Sequence, residues 1–334
     1  MSDDRLDSVP GEESDASARF ARANLFRQIW DSAGMLVMFV VLFATCSVSI
    51  DHFFTARNQE NTLLAITTVG IIGCTMLFCM AAGDFDLSVG SVVALSGVVA
   101  ALVLRETHSP ILGVLAGVAA GGVIGLINGI IIAQIGINAL IATLATMQIA
   151  RGLALICCDG KSVGISDQRF TALGTASLGG IEFPIWIMLG GFVFFGLLLH
   201  KTVFGRNTLA IGGNREAAKL AGISVTGTKI IIFMVQGLVA GFAGVILTAQ
   251  LSVGDPNAGL GLELKVISAC VLGGVSLTGG VGTIMAVIVG TLIMGTVQDA
   301  MDLKNIPSFY QYVISGSILL AAVLLDRLKQ ARAR

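Results

Sequence analysis

Ten long apolar runs, separated by polar segments, decide what this chain can fold into. They lie at residues 34–50, 62–82, 87–104, 111–133, 135–158, 183–199, 230–251, 266–277, 281–297 and 312–325. A helix that crosses the hydrocarbon core of a membrane needs about 20 residues, so most of the runs are long enough, although 266–277 and 312–325 are short. Only 12% of the residues are charged, too few for a normal water-facing surface. The sequence therefore predicts an all-α integral membrane protein with about ten transmembrane helices, and counts of eight or nine stay open.

A weak internal repeat, offset by about 190 residues, predicts two related halves. Four residues that follow the second run match four residues around the end of the eighth run, namely Gly83, Leu87, Ser88 and Gly90 with Gly273, Leu277, Thr278 and Gly280. Both copies end one apolar run and begin another. Chance matching in a glycine-rich chain remains the alternative interpretation.

The polar segments predict how the chain is divided and oriented. Residues 1–33 form a charged tail with a candidate interfacial helix at 20–30, 34–325 form the transmembrane domain, and 326–334 form a second tail. Lys and Arg are more numerous in the two tails and in the 200–229 segment than in the remaining loops. By the positive-inside rule, both termini and the 200–229 segment are expected in the cytoplasm.

The 200–229 segment contains a short predicted helix with defined ends. Asn214 is a good N-cap, and Gly222 is a good residue to end the helix after Ala221. Such a helix has too little apolar surface to fold alone, so we interpret it as a docking element for another protein. Its candidate contact residues are Arg215, Glu216, Ala217, Ala218, Lys219 and Gly222. An ordinary loop whose charge only sets the topology is the alternative.

Several polar residues lie within or between the apolar runs. Asp84 and Asp86 line a solute pathway in one interpretation, and in the other they form a tight turn in which Asp86 and Ser88 cap the next helix. Arg151 is expected to reach the nearby membrane surface, while pairing with a carboxylate or lining a pathway stay open. Asn138 and Thr143 could bind a polar solute or bond to another helix.

The sequence offers no catalytic or cofactor chemistry. The six cysteines lack metal-site spacing and no histidine cluster accompanies them, so we expect neither a metal nor a cofactor. Gly160-Lys161-Ser162 is not a phosphate-binding loop, because Leu155 stands where that motif requires glycine. A net charge of −1 argues against a nucleic-acid partner. The chain is therefore expected to be a transport subunit and not an enzyme.

Four segments together resemble the sugar permeases of bacterial ATP-binding-cassette (ABC) importers. They are AGDFDLSVGS at 82–91, NALIATLATM at 138–147, FGRNTLAIGGN at 204–214 and VLGGVSLTGG at 271–280. Glu216-Ala217-Ala218, with Gly222 four residues later, also resembles the loop by which such permeases dock onto their ATPase. Segments 81–88, 137–140 and 159–165 are most similar to the L-arabinose branch, with ribose, xylose and galactose as alternatives.

The resemblance implies the rest of the assembly. It consists of two permease copies, most simply a homodimer, with an ABC ATPase subunit in the cytoplasm and a periplasmic sugar-binding protein outside. The membrane would be the bacterial inner membrane. Two other classes stay open, a secondary transporter in which Asp84, Asp86 or Arg151 couples solute to protons, and a passive channel.

Overall fold

The computed structural model describes residues 34–331, with side chains as far as Leu324. The predicted N-terminal tail and its interfacial helix at 20–30 lie outside the described residues. The helices are α1 (Gly34–Ser49), α2 (Ala56–Ala65), α3 (Thr67–Ala81), α4 (Val89–Thr107), α5 (Pro110–Ile130), α6 (Ala139–Cys157), α7 (Gln168–Thr175), α8 (Phe183–Lys201), α9 (Val203–Gly213), α10 (Arg215–Leu220), α11 (Val225–Leu251), α12 (Leu262–Gly273), α13 (Ile284–Leu303) and α14 (Ser308–Ala331).

A five-residue π-helix, Ile131–Ile135, continues α5, and four two-residue strands complete the described elements. They are β1 (Val163–Gly164), β2 (Ser177–Leu178), β3 (Ile181–Glu182) and β4 (Val253–Gly254). β1 pairs antiparallel with β4, and β2 pairs antiparallel with β3 in a hairpin. The all-α class predicted from the apolar runs is confirmed, since these strands only join or brace helices.

The number of clear spans is not exactly the ten that the sequence predicts. Within residues 34–331, six helices are long and apolar enough to cross a membrane, or seven if the bent pair α2 and α3, which meet at 44°, makes one span. α1 and α14 contribute shorter apolar stretches, Gly34–Ser49 and Ser308–Leu324. Hydropathy alone does not distinguish a full span from a short helix that is buried inside a bundle.

The run at 266–277 illustrates that difference. Its helix, α12, has only 12 residues. The chain before it, from Ser252 to Gly261, contains no helix and only the two-residue strand β4. This approach segment lies along α4, where a Cβ added at Gly254 would stand 2.8 Å from the Ala101 methyl group. Non-helical backbone at membrane depth is tolerated where it is buried in protein or lines a cavity. We therefore interpret the approach segment and α12 together as one interrupted span.

The bundle has two ends, which we name by their short helices. α8 begins beside α7 and the β2–β3 hairpin and ends beside α9 and α10, so these elements mark opposite ends. We call them the α7 end and the α10 end.

Two loops meet α9 at the α10 end. The Gly280 N–H donates to the Ala81 carbonyl oxygen at 2.9 Å, and a Cβ added at Gly212 would overlap that same oxygen. These loops are the two segments of the predicted repeat, whose origin by duplication stays a prediction.

Candidate functional site

The loop between α3 and α4 is organised by the buried carboxylate of Asp86. Its Oδ1 accepts hydrogen bonds from the Ser88 backbone N–H at 2.8 Å and from the Ser88 hydroxyl at 2.6 Å. Ser88 is itself the N-cap residue of α4, although its side chain makes no capping bond. Asp86 therefore stabilises the turn before the helix and does not occupy the cap position that the sequence suggested.

This hydrogen bonding continues into two neighbouring helices. Asn128 of α5 donates from Nδ2 to the Ser88 hydroxyl at 3.0 Å, and Thr146 of α6 donates to Asn128 Oδ1 at 2.7 Å. All four side chains are buried. The chain of bonds joins the start of α4 and the middle of α6 to α5, so Ser88 has a structural partner on each side.

Asp86→Asn is expected to leave the thermal stability of the purified protein nearly unchanged. Asparagine keeps the Oδ1 acceptor that both Ser88 donors use. Asp86→Leu removes that acceptor and should cost about 1–3 kcal/mol for each buried donor left unpaired. Thermal unfolding in detergent compares the two variants. Equal destabilisation by Asn and Leu would show that the charge of Asp86, rather than its acceptor oxygen, is required.

Asp84, two residues earlier, forms a buried ion pair. Its Oδ2 lies 2.7 Å from Nζ of Lys229 at the start of α11, and the two side chains are only 12% and 8% exposed. The contact lacks hydrogen-bond geometry, since Oδ2 has no hydrogen-bond partner among the described residues, so the attraction is chiefly Coulombic. In the sequence Lys229 looks like one more cation of a water-facing loop. Burial makes it instead the electrostatic link between the α3–α4 loop and α11.

Arg151 of α6 holds the approach segment in place. Its Nη1 donates to the carbonyl oxygens of Pro256 at 2.5 Å and Ala258 at 2.8 Å. The carboxylates of Asp255 and Glu263 lie within electrostatic range of the guanidinium. The guanidinium is thus bonded to protein backbone, and the predicted reach of Arg151 to the membrane surface stays a prediction.

Asn138 and Thr143 make local hydrogen bonds in α6. Asn138 is its N-cap, with Oδ1 accepting from the Leu140 N–H at 2.9 Å, and the Thr143 hydroxyl donates to the Ala139 carbonyl at 2.8 Å. Both polar groups are thus used within the first turns of the helix. A role for either residue in a solute pathway stays a prediction.

α10 has the ends that the sequence indicates. Asn214 Oδ1 accepts from the Ala217 N–H at 3.0 Å, and Gly222 follows the helix with φ +81°, a conformation that glycine adopts easily. Ala218 is buried against Ile211 and Val225.

Most of α10 faces outward. Arg215, Glu216, Ala217 and Lys219 are exposed, and Leu220 is 88% exposed. Of the predicted contact residues, Ala218 alone faces the protein, so the surface available to a partner is narrower than the sequence suggested.

The described residues contain no group of three or more metal-binding side chains. The arrangement can transmit motion, because α9 contacts the α3–α4 and α12–α13 loops and α10 packs against α9 through Ala218 and Ile211. Displacement of α10 would therefore reach α11 directly and the two loops through α9.

Comparison with known proteins gives consistent matches. Residues 58–323 match the family model described as "Branched-chain amino acid transport system / permease component". The chain is 56% identical over 307 residues to the L-arabinose ABC transporter permease protein AraH of Azospirillum brasilense, covering 92% of this chain and 91% of that protein. It is 56% identical over 309 residues to the L-arabinose transport system permease protein AraH of Escherichia coli, with 92% and 94% covered.

A second group of relatives is less similar. The ribose import permease protein RbsC of Bacillus subtilis is 40% identical over 308 residues, which cover 92% of this chain and 96% of that protein. No solved structure matches the chain.

Proposed function

The chain belongs to the family of branched-chain amino acid transport system / permease components, and we propose that it is the permease subunit of an ATP-driven importer for L-arabinose. The observation that carries the proposal is the difference in similarity. Identity is 56% to relatives named for L-arabinose and 40% to the RbsC relative named for ribose, over the same share of this chain. The resemblance of segments 81–88, 137–140 and 159–165 to the L-arabinose branch supports the same substrate.

The energy would come from an ABC ATPase that docks on α10. This short helix presents Ala217 and Leu220 outward, as does its C-cap residue Ala221, and small or apolar exposed groups suit close contact with a groove in a partner. Arg215 and Lys219 would fix the orientation at the rim. Movement of α10 would pass through Gly212 of α9 to the loops that it contacts.

A second copy of the permease is expected to cover the face formed by α6 and the approach segment. Arg151, Asp255 and Glu263 lie there, each partly exposed. Charged groups inside a membrane face a partner or a water-filled path in preference to lipid. We therefore place the sugar pathway, in a homodimer, between two such faces.

The α10 end is proposed to face the cytoplasm of the bacterial inner membrane. Lys304 of the α13–α14 turn donates to the Ser49 carbonyl, so α1 ends, and α14 begins, at the α7 end. Their other ends, which lead to the two termini, then lie at the α10 end. A periplasmic sugar-binding protein would dock at the α7 end.

Proteoliposomes containing the permease, its native ATPase subunit and sugar-binding protein are expected to accumulate radiolabelled L-arabinose only when ATP reaches the ATPase. A protonophore should leave the initial rate unchanged, and a non-hydrolysable ATP analogue should abolish it. Omission of the ATPase subunit is the matched control. Uptake that is driven by an imposed proton gradient in the absence of ATP would contradict this proposal and would indicate a secondary transporter.

A further inference from the structure

The carboxylate of Glu263, at the start of α12, lies against the first turn of α4. A Cβ added at Gly90 would overlap both Glu263 Oε2 and the Gly259 carbonyl oxygen. Glycine at position 90 therefore lets the approach segment and the start of α12 come close to the α4 backbone. Because Gly90 is buried and Glu263 is partly exposed, the carboxylate lies at the edge of the bundle, on the proposed pathway face.

Arg151 and Asp255, the other two charged residues of this face, make bonds that hold the approach segment in shape. Arg151 Nη1 donates to two backbone carbonyls of that segment. Asp255 Oδ1 accepts from the Asn257 backbone N–H at 2.9 Å. These bonds give both side chains a structural role in the permease alone.

The Glu263 carboxylate has no bond of this kind. Within the described residues it forms no ion pair and no hydrogen bond with another residue, and the charge that acts on it is that of Arg151. Arg151 Nε and Nη2 likewise donate to no described residue. Ionisable groups at membrane depth usually face a partner or a water-filled path. The unused acceptors of Glu263 and the unused donors of Arg151 are therefore available to a polar solute on this face.

We propose that Glu263 contacts the sugar in the pathway, its carboxylate accepting a hydrogen bond from one hydroxyl while Arg151 donates to another. This inference rests on the proposed function and names a residue that helps to select its substrate. A sugar hydroxyl both donates and accepts, so a carboxylate beside a guanidinium suits a neutral monosaccharide. The carboxylates of Glu263 and Asp255 disfavour an anionic solute, since like charges brought together are costly.

Glu263→Gln tests the contact, because glutamine keeps the size of the side chain and removes its charge. The initial rate of ATP-dependent L-arabinose uptake is expected to fall about five- to tenfold, the difference between a charged and a neutral hydrogen bond. The membrane level, the unfolding temperature and co-purification of the ATPase should stay those of the parent. Glu106→Gln is the matched control, since that carboxylate is exposed at the other end of α4. Unchanged uptake in Glu263→Gln would overturn the assignment.

Monodeoxy analogues of L-arabinose distinguish a contact residue from a merely structural one. Each analogue is presented by the sugar-binding protein at saturation, to the parent and to Glu263→Gln. For the analogue that lacks the hydroxyl bonded to Glu263, the loss of uptake should be about fivefold smaller in the variant than in the parent, because the two changes remove the same interaction. An equal loss in parent and variant for every analogue would assign Glu263 a structural role and contradict the proposal.

Carboxyl footprinting tests the contact in the parent itself, so it requires no variant to fold. Glu263 and Glu106 are modified with a water-soluble carbodiimide and an amine, and each site is followed by mass spectrometry. L-Arabinose at about four times its Kd should slow modification of Glu263 about fivefold, as the open fraction falls by 1 + [L]/Kd. Modification of Glu106, and modification of Glu263 in mannitol, should not change.

The outcomes separate the two proposals. If the parent imports L-arabinose with ATP while the sugar leaves modification of Glu263 unchanged, the contact is wrong and the function stands. If Glu263→Gln instead dissociates the permease dimer, the carboxylate pairs with the second copy and the assignment is equally wrong. Failure of the parent to import any sugar contradicts the proposed function, whereas protection of Glu263 by L-arabinose would still support the contact.

Discussion

Lys229→Ala is expected to destabilise the permease by about 3–5 kcal/mol, because it leaves the Asp84 carboxylate buried without its cation. The ion pair is short, 2.7 Å between Lys229 Nζ and Asp84 Oδ2, and both side chains are almost fully shielded from solvent. The loss should appear as a lower unfolding temperature in detergent and as less permease in the membrane. Lys219→Ala is the matched control, since that cation is exposed on α10 and exposed charges contribute little.

The pair can also be removed whole. Asp84→Leu combined with Lys229→Met replaces both charges by apolar groups, and such replacements are often neutral or stabilising. We expect the double variant to regain most of the stability lost in Lys229→Ala. A double variant as unstable as the single one would show that the ion pair is not what Lys229 contributes. Regained stability without sugar uptake would assign the pair a role in transport as well as in folding.

Ala217→Trp is expected to abolish ATP-dependent uptake while leaving the permease itself folded and inserted at its normal level. Ala217 is exposed on α10, so a large side chain meets no neighbour in the permease alone. In the assembled transporter it would overfill the proposed groove of the ATPase, where overpacking costs about 1–3 kcal/mol. Co-purification of the ATPase, membrane level and uptake are the three measurements.

Two neighbouring substitutions serve as comparisons. Ala218→Trp should damage the permease even without its partner, because Ala218 is buried against Ile211 and Val225. Gly222→Val should resemble Ala217→Trp. Its Cβ would meet nothing within 4 Å, so its whole effect comes from the backbone φ of +81°. Full uptake by Ala217→Trp, or loss of the variant from the membrane without its partners, would exclude α10 as the docking element.

Hydropathy and capping rules predicted the parts of the fold that depend on local sequence. The apolar runs became helices at close to the expected positions, and α10 begins after Asn214 as the N-cap rule indicates. The interrupted span before α12 could not be predicted, because β4 and the bonds from Arg151 to Pro256 and Ala258 depend on contacts between distant segments. The apolar sequence of such a short run does not show whether its helix starts inside the bundle or is part of a full span.

The polar residues show the same limit. Asp86 could be identified as a turn residue because its acceptor is two residues from Ser88. Lys229 could not be identified as the partner of Asp84, since 145 positions separate them in the numbering and Lys229 follows a polar loop. Asn128 and Thr146 likewise reveal their shared bond only when α5 and α6 pack together. Sequence reasoning therefore identified which residues are costly in a membrane, and the structure supplied their partners.

The most direct test of the proposed function is the sugar that the assembled transporter carries. Initial rates of radiolabelled L-arabinose and D-ribose uptake are measured in the same ATP-loaded proteoliposomes, each sugar presented by its own binding protein at saturation. The account predicts rapid import of L-arabinose and much slower import of D-ribose. Import of D-ribose at an equal or higher rate would contradict it.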